Sequence, residues 1–217
     1  MKPIYLLLAI LFFGTTGFSQ TTGRNIGDIL QSYYLFKDKD VVEKSIDFVN
    51  KTNMTYNQLE PIIGGFYGAL FEADPTIKEK VLANLEQVES VQIKEFLVSL
   101  SRVSIDSAYA KLQRTTDYND MNWASYFASG NLKYVDNIIS NIRYADEREN
   151  LILFLAGSTA EWSLCSNAIQ DKRLKKYLIS LKDKVESIDT ILAEQPNYFR
   201  EKTEKVLKEQ RLKGLWK

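Results

Sequence analysis

The chain has 217 residues, with 28 basic and 28 acidic side chains, one cysteine and no histidine. This balance argues against a nucleic-acid-binding protein, which normally carries a strongly basic face. The absence of histidine excludes Ser-His and Cys-His catalytic pairs and zinc sites built on imidazole, and a single Cys165 excludes an intrachain disulfide. We therefore predict no nucleic-acid partner, no cofactor and no metal.

The amino terminus has the parts of a secretion signal. Lys2 precedes an apolar run from Ile4 to Phe13, and Gly17-Phe18-Ser19 is a small-x-small triplet. We predict cleavage after Ser19, which leaves residues 20–217 as one domain in the periplasm or outside the cell. The alternative is an uncleaved anchor, but the apolar run is about half of the ~20 residues that a spanning helix needs. No stable membrane insertion is expected after cleavage.

The first half of the mature chain shows helical spacing of apolar residues throughout. Residues 24–36 and 40–49 predict a first hairpin, and residues 59–71 a third helix, provided that Pro61 falls in its first turn. Asp74-Pro75 predicts an N-cap and a first helical residue for a fourth helix that runs to about Val88. A fifth helix follows from Ile93, with a bend in its serine-rich part.

The second half opens with two short helices around a Gly130-Asn131 turn, over residues 119–142. Residues 151–169 predict a buried helix, although their first six apolar residues have the length of a buried strand. Asp171 opens a long amphipathic helix that reaches Leu192, and a terminal helix from about Asn197 to Leu212 closes the chain. The basic end from Arg200 to Lys217 is expected to be solvated, with contact of Trp216 to a membrane or an acidic partner as the alternative. The fold class is all-α: stacked antiparallel hairpins of about eight helices in an α-solenoid.

The two halves also suggest an internal duplication at a displacement of 93 residues. Without a gap, Ser32-Tyr33-Tyr34 then overlies Ser125-Tyr126-Phe127, and Gly64 overlies Gly157. Few pairs are identical, but the matches fall on turn and core positions, where a repeat keeps its residues.

Two resemblances follow from these segments. The aromatic pair Tyr126-Phe127, the Gly130-Asn131 turn and the aliphatic residues after it resemble the middle of a tetratricopeptide repeat. Residues 123–131 and 160–168 resemble the WxxFFATGD and AAxWSLxSNA segments of an uncharacterised family of bacterial secreted helical proteins, with Tyr, Ser and Asn where that family has Phe, Thr and Asp. The first resemblance implies a stacked fold with a concave surface, and the second implies no particular chemistry.

The candidate functional residues cluster on these two segments. Trp123 and Trp162 are interpreted as core anchors, with ligand stacking as the alternative. The polar residues either line a groove for a peptide or cap neighbouring helices. The residues predicted to bind a partner are Asn122, Tyr126, Asn131, Asn137, Glu161 and Asn167.

Three functions fit this pattern. The first is a non-catalytic helical module that binds a protein or peptide in the cell envelope. The second is a hydrolase of an envelope polymer in which Glu161, with a pKa raised by burial, works with Asp120 or Glu149. The third is a structural protein whose partner is a second copy of itself.

Overall fold

The computed structural model of the protein describes residues 23–216, so the predicted secretion signal lies outside the described residues. Within that range the chain forms twelve α-helices, two short 3-10 helices (Leu85–Gln87 and Ile142–Tyr144) and no β-strand. The all-α prediction is confirmed. The helices are α1 Ile26–Phe36, α2 Val41–Lys51, α3 Tyr56–Ala73, α4 Pro75–Ala83, α5 Val91–Leu100, α6 Ile105–Tyr109, α7 Thr116–Ser129, α8 Lys133–Ile139, α9 Leu151–Gln170, α10 Lys172–Ile179, α11 Ile188–Ala193 and α12 Pro196–Leu212.

Helices α3 and α7 cross in close contact at the centre of the molecule. A Cβ atom on Gly65 would lie 2.1 Å from the Met121 carbonyl oxygen, so only glycine allows this approach. The Ser125 hydroxyl donates a hydrogen bond of 2.7 Å to the Gly65 carbonyl across the same crossing. The main core forms around this pair and includes fully buried side chains from α1, α3, α5, α7, α8 and α9, such as Phe66 and Tyr126.

Helix α12 packs along α9 and forms a second, smaller core. Trp216 is only 5% exposed, and its ring centroid lies 5.0 Å from that of Phe154 on α9. The prediction of a solvated carboxyl end is therefore wrong for Trp216. Its indole ring packs against α9, and the apolar surface buried there holds the end of the chain in place.

Several predicted helices are divided or shifted, which is why about eight were expected and twelve α-helices are observed. Pro61 is the sixth residue of α3 and does not lie in its first turn, because a capping box of Thr55 and Gln58 starts the helix earlier than predicted. The predicted helix from Asp171 to Leu192 is two helices, α10 and α11, joined by turns. Leu181 and Val185 in that connection still pack against the core, so the apolar spacing in the sequence extends beyond the end of α10.

The hairpin around Gly130 is confirmed. Gly130 has φ 70° in the left-handed region and ends α7, and its N–H donates to the Tyr126 carbonyl. The rings of Trp123 and Phe127 stack with centroids 5.6 Å apart and an interplanar angle of 20°, as expected for residues four apart on one helix face. Residues 151–170 form one helix, so the strand alternative is wrong.

The helix order is compatible with a duplication. Shifted by 93 residues, α1 falls on residues 119–129 inside α7, and α3 falls on residues 149–166, which overlap α9. The packing of the two halves differs, however, since α3 lies against α7 and α9 lies against α12. Duplication stays a prediction.

Candidate functional site

A groove of about 630 Å³ opens between α1, the end of α7 and the junction of α9 with α10. It lies beside the Gly130 turn: a Cβ atom on Gly130 would lie 2.7 Å from the Tyr34 ring and 2.8 Å from an Arg173 guanidinium nitrogen. Of the six residues predicted to bind a partner, Asn167 lines this groove. The side chains that define it are Tyr34, Leu35, Phe127, Asn167, Asp171 and Arg173.

Asp171 ties three helices together at the floor of the groove. Its Oδ2 accepts hydrogen bonds from the hydroxyls of Tyr34 on α1 (2.8 Å) and Tyr126 on α7 (2.6 Å). Its Oδ1 accepts from the backbone N–H groups of Arg173 and Leu174 and so caps α10. Four donors use the lone pairs of this carboxylate, so Asp171 holds the groove in shape and offers little to a ligand.

The two tyrosines are fixed as donors. Burial, together with the Asp171 carboxylate, raises the pKa of Tyr34 to about 12 and raises the pKa of Tyr126 still further. Both hydroxyls therefore keep their protons at any physiological pH. The two tyrosines therefore act as hydrogen-bond donors at the floor of the groove.

The two arginine side chains of the groove differ in their hydrogen bonding. Arg24 donates to the Asp38 carboxylate at 2.6 Å and to the Asp28 carbonyl at 2.5 Å, so it holds the amino end of α1 in place. The Arg173 guanidinium lies 5.8 Å from the Tyr34 ring centroid. Among residues 23–216 it has no hydrogen bond and no ion pair.

An apolar wall and amide groups complete the groove. Leu35 on α1 is 59% exposed, and Phe127 on α7 is half-buried against Trp123. Asn167 on α9 donates its amide N–H to the Ser163 carbonyl at 2.9 Å, while its Oδ1 has no donor in the described part of the chain. The prediction that Asn167 caps a helix is wrong, because Asn167 lies inside α9 and Asp171 ends it.

Two predicted binding residues are buried away from any partner. Asn122 is 0% exposed, donates to the Tyr118 carbonyl at 2.7 Å and accepts from Asn137 at 2.8 Å, so the expectation of an exposed Asn122 is wrong. Asn137 is half-buried and completes that pair between α7 and α8. Tyr126 is also fully buried, and it reaches the groove only through Asp171. The buried Asn122 and Tyr126 therefore do not offer a surface to a partner.

Asn131 behaves as the alternative interpretation predicted. It is exposed, and its Oδ1 accepts a hydrogen bond of 3.0 Å from the Lys133 N–H at the start of α8. Such a contact stabilises the turn and satisfies a backbone donor that the helix leaves open. Asn131 lies at the Gly130 turn but does not line the groove.

Glu161 faces α12 and not the groove. It is 5% exposed and forms an ion pair of 2.9 Å with Lys202 of α12. Burial raises the pKa of its carboxyl group in spite of the Lys202 charge, as the sequence suggested. The hydrogen bonds of the Glu161 carboxylate in the described structure come from Lys202, and its pairing with Asp120 or Glu149 stays a prediction. Trp162, next to it, is half-buried against the core.

A second groove of about 560 Å³ lies between α3, α5, α6 and the start of α7. Its wall contains the exposed Leu112 and the partly buried Phe96 and Met121. None of the predicted binding residues lines it, and Leu112 offers a matched control for Leu35.

No group of side chains in residues 23–216 has the composition of a metal site, and none of the helices found there is long and apolar enough to span a bilayer. No family model matches the chain, and no curated protein or solved structure is significantly similar to it. The resemblances drawn from residues 123–131 and 160–168 therefore stay predictions, and the function has to be argued from the groove.

The sequence missed four residues of this groove: Tyr34, Leu35, Asp171 and Arg173. Asp171 was assigned only as the start of a helix, and Tyr34 only as a member of a repeat. Their roles depend on a contact between α1 and α10, and no local pattern in the chain signals that contact.

Proposed function

We propose that this protein is a non-catalytic binding module of the cell envelope, and that its groove takes an extended segment of a protein or peptide partner. The envelope location rests on the secretion signal predicted for residues 1–19. The binding site rests on one observation: an exposed apolar side chain, Leu35, stands in a concave surface beside polar groups that have unused hydrogen-bonding capacity.

This composition suits an extended segment. Leu35 and Phe127 supply an apolar surface for a side chain of the partner, while the Asn167 carbonyl and the Arg173 guanidinium can bond to its polar groups. Binding sites for peptides typically combine such an apolar wall with a few placed polar groups. The Asp171 cluster holds the helices together before the partner arrives, which reduces the entropy lost on binding.

Two of the carboxylates, Asp171 and Glu161, argue for binding over hydrolysis. Asp171 accepts four hydrogen bonds, and Glu161 is paired with Lys202 at an interface between helices. A general acid or base must reach the proton that it transfers, and neither group has such access. The hydrolase alternative gains no support from these two groups.

The test is a selection of displayed random peptides against the full chain, followed by fluorescence anisotropy with the enriched peptides. Leu35→Gln should weaken their binding at least about tenfold, because a buried leucine contact is replaced by a polar side chain that must be desolvated. Leu112→Gln, which changes an exposed leucine in the second groove, should leave the affinity unchanged. Peptides that bind the wild type and Leu35→Gln equally would overturn the proposal, as would a selection that enriches no peptide.

A further inference from the structure

Helix α10 presents a row of cations beside the groove. Lys172, Arg173, Lys175 and Lys176 are all exposed, because Leu174 and Leu178 turn the opposite face of this short helix into the core. In the described residues, none of the four forms an ion pair. Two of them, Lys172 and Arg173, line the groove itself.

The position of these cations works against the stability of the helix. Lys172 and Arg173 occupy the first turn of α10, and the amino end of a helix carries a partial positive charge that repels cations. Asp171 offsets this as the N-cap, but its charge is already shared by Tyr34 and Tyr126. The arrangement leaves excess positive potential at this edge of the groove.

The opposite edge has the opposite sign. Asp28 on α1 lines the groove and is exposed, and in the described residues its carboxylate accepts a hydrogen bond only from the Asn25 side-chain amide. Arg24, the other cation there, is neutralised by Asp38. A ligand that carried negative charge along its whole length would therefore meet Asp28 unfavourably, whereas a ligand with its acid at one point would not.

From this charge distribution we propose that the partner segment is an acidic peptide. An Asp or Glu side chain of the segment pairs with Arg173, with Lys172 close by, and a neighbouring apolar side chain packs on Leu35. The Arg173 guanidinium lies 5.8 Å from the Tyr34 ring centroid, and a guanidinium can make a two-pronged contact with a carboxylate. The inference rests on the proposed function, since it names the chemistry of the segment that the groove takes.

Two arrays of eight-residue peptides test the proposal. Each peptide of the first array carries a single Asp or Glu next to a Leu, Ile, Val or Phe and is otherwise uncharged, and the second array has Asn or Gln in place of that acid. The full chain should retain the acidic array at least about tenfold better, the ratio that a lost charge-assisted hydrogen bond of about 1.4 kcal/mol produces. Raising the salt concentration should reduce the difference in retention between the two arrays, because exposed charges are screened.

Variants assign the effect to the groove. Arg173→Glu should abolish the preference for acidic peptides, and Lys205→Glu, an exposed cation of α12 outside the groove, should retain it. A preference for the neutral array, or an acidic preference that survives Arg173→Glu, would overturn the acidic-partner inference. Tighter binding of a single-stranded oligonucleotide than of any acidic peptide would also overturn it, in favour of a polyanion.

The two proposals fail in different ways. If neutral peptides bind and Leu35→Gln weakens them, the groove is a peptide site and only its acidic specificity is wrong. If no peptide of either array binds in a manner that depends on Leu35, the proposed function itself is wrong.

Discussion

The amide side chains of α7 and α8 and those at the end of α9 are chemically alike, yet the structure uses them in opposite ways. Between α7, α8 and α9 they bond to each other: Asn119 donates to the Ala156 carbonyl at 2.8 Å and accepts from Asn141 at 2.7 Å. At the groove, the Asn167 amide donates to its own helix and keeps its carbonyl oxygen open. A buried network fixes how helices pack, while an open group is available to a partner.

This difference shows why a cluster of polar residues in a sequence does not by itself mark a binding surface. A buried amide is costly unless every donor finds a partner, so a fold that buries asparagines places them opposite one another. Asn122 and Asn137 meet this condition because their side chains bond to each other. Asn167 is only half-buried, so its carbonyl oxygen does not need a partner within the protein. The comparison predicts that substitutions in the network lower stability and substitutions in the groove lower binding.

The largest effect is expected for Asn119→Ala. It leaves the Asn141 amide nitrogen buried without its acceptor and removes the contacts to the Ala156 carbonyl and the Thr159 hydroxyl. The free energy of unfolding should fall by about 2 to 3 kcal/mol. Urea denaturation followed by circular dichroism measures this, with Asn57→Ala on the exposed side of α3 as the control. Equal midpoints for the two variants would mean that the network carries no stability.

A smaller loss, about 1 to 2 kcal/mol for each change, is expected for Asn122→Ala and Asn137→Ala. Their side chains bond directly at 2.8 Å, so the effects should not add. A double-mutant cycle should give a coupling energy of about 0.5 to 1 kcal/mol. Strict additivity, or weaker peptide binding with unchanged stability, would place these residues on the surface and contradict the buried pair.

Glu161→Gln should change the free energy of unfolding by no more than about 1 kcal/mol near neutral pH, with a distinct pH dependence. Because burial raises the pKa of Glu161, the folded protein holds that proton more tightly than the unfolded chain does. Wild-type stability should therefore decrease as the pH rises from the unfolded pKa, about 4.3, through the higher folded pKa, and the Gln variant should lack this decrease.

Glu147→Gln provides the control of opposite sign. Backbone N–H groups of Glu149 and Asn150 lower the pKa of Glu147, so its contribution to stability is present above the unfolded pKa and is lost as the pH falls through the folded pKa. Denaturation curves at several pH values compare the two variants with the wild type. Parallel pH profiles for wild type and Glu161→Gln would contradict the raised pKa.

The smallest effect on stability belongs to Asn167→Ala, within about 0.5 kcal/mol, since its side chain is half-buried and bonds only within α9. Peptides selected against the groove should nevertheless bind about fivefold more weakly, the effect of losing one hydrogen bond of about 1 kcal/mol. Anisotropy with the selected peptides measures the loss, and Asn57→Ala again serves as the control. A large drop in the melting temperature of Asn167→Ala would contradict this assignment and would show that Asn167 stabilises the fold as the buried asparagines do.

The sequence predictions succeeded where a feature depends on residues close together in the chain. Gly130 was assigned correctly because a left-handed residue at the end of a helix is a local requirement. The long helix from Asp171 was wrong because apolar spacing indicates which residues face the core, and Leu181 and Val185 pack against the core from a turn, partly buried, without being helical. Pro61 was misplaced because the capping box at Thr55 decided where α3 begins.

The sequence by itself determined the helical class of this protein and the hairpin at Gly130, since helices, caps and turns depend on hydrogen bonds between residues a few positions apart. Only the tertiary structure decided which polar side chains are buried and which are open. The groove is closed at its floor by a hydrogen bond between Tyr34 and Asp171, which are 137 residues apart. Such a contact follows from the packing of whole helices, in which the summed burial of apolar side chains sets the positions and the polar groups must adapt to them.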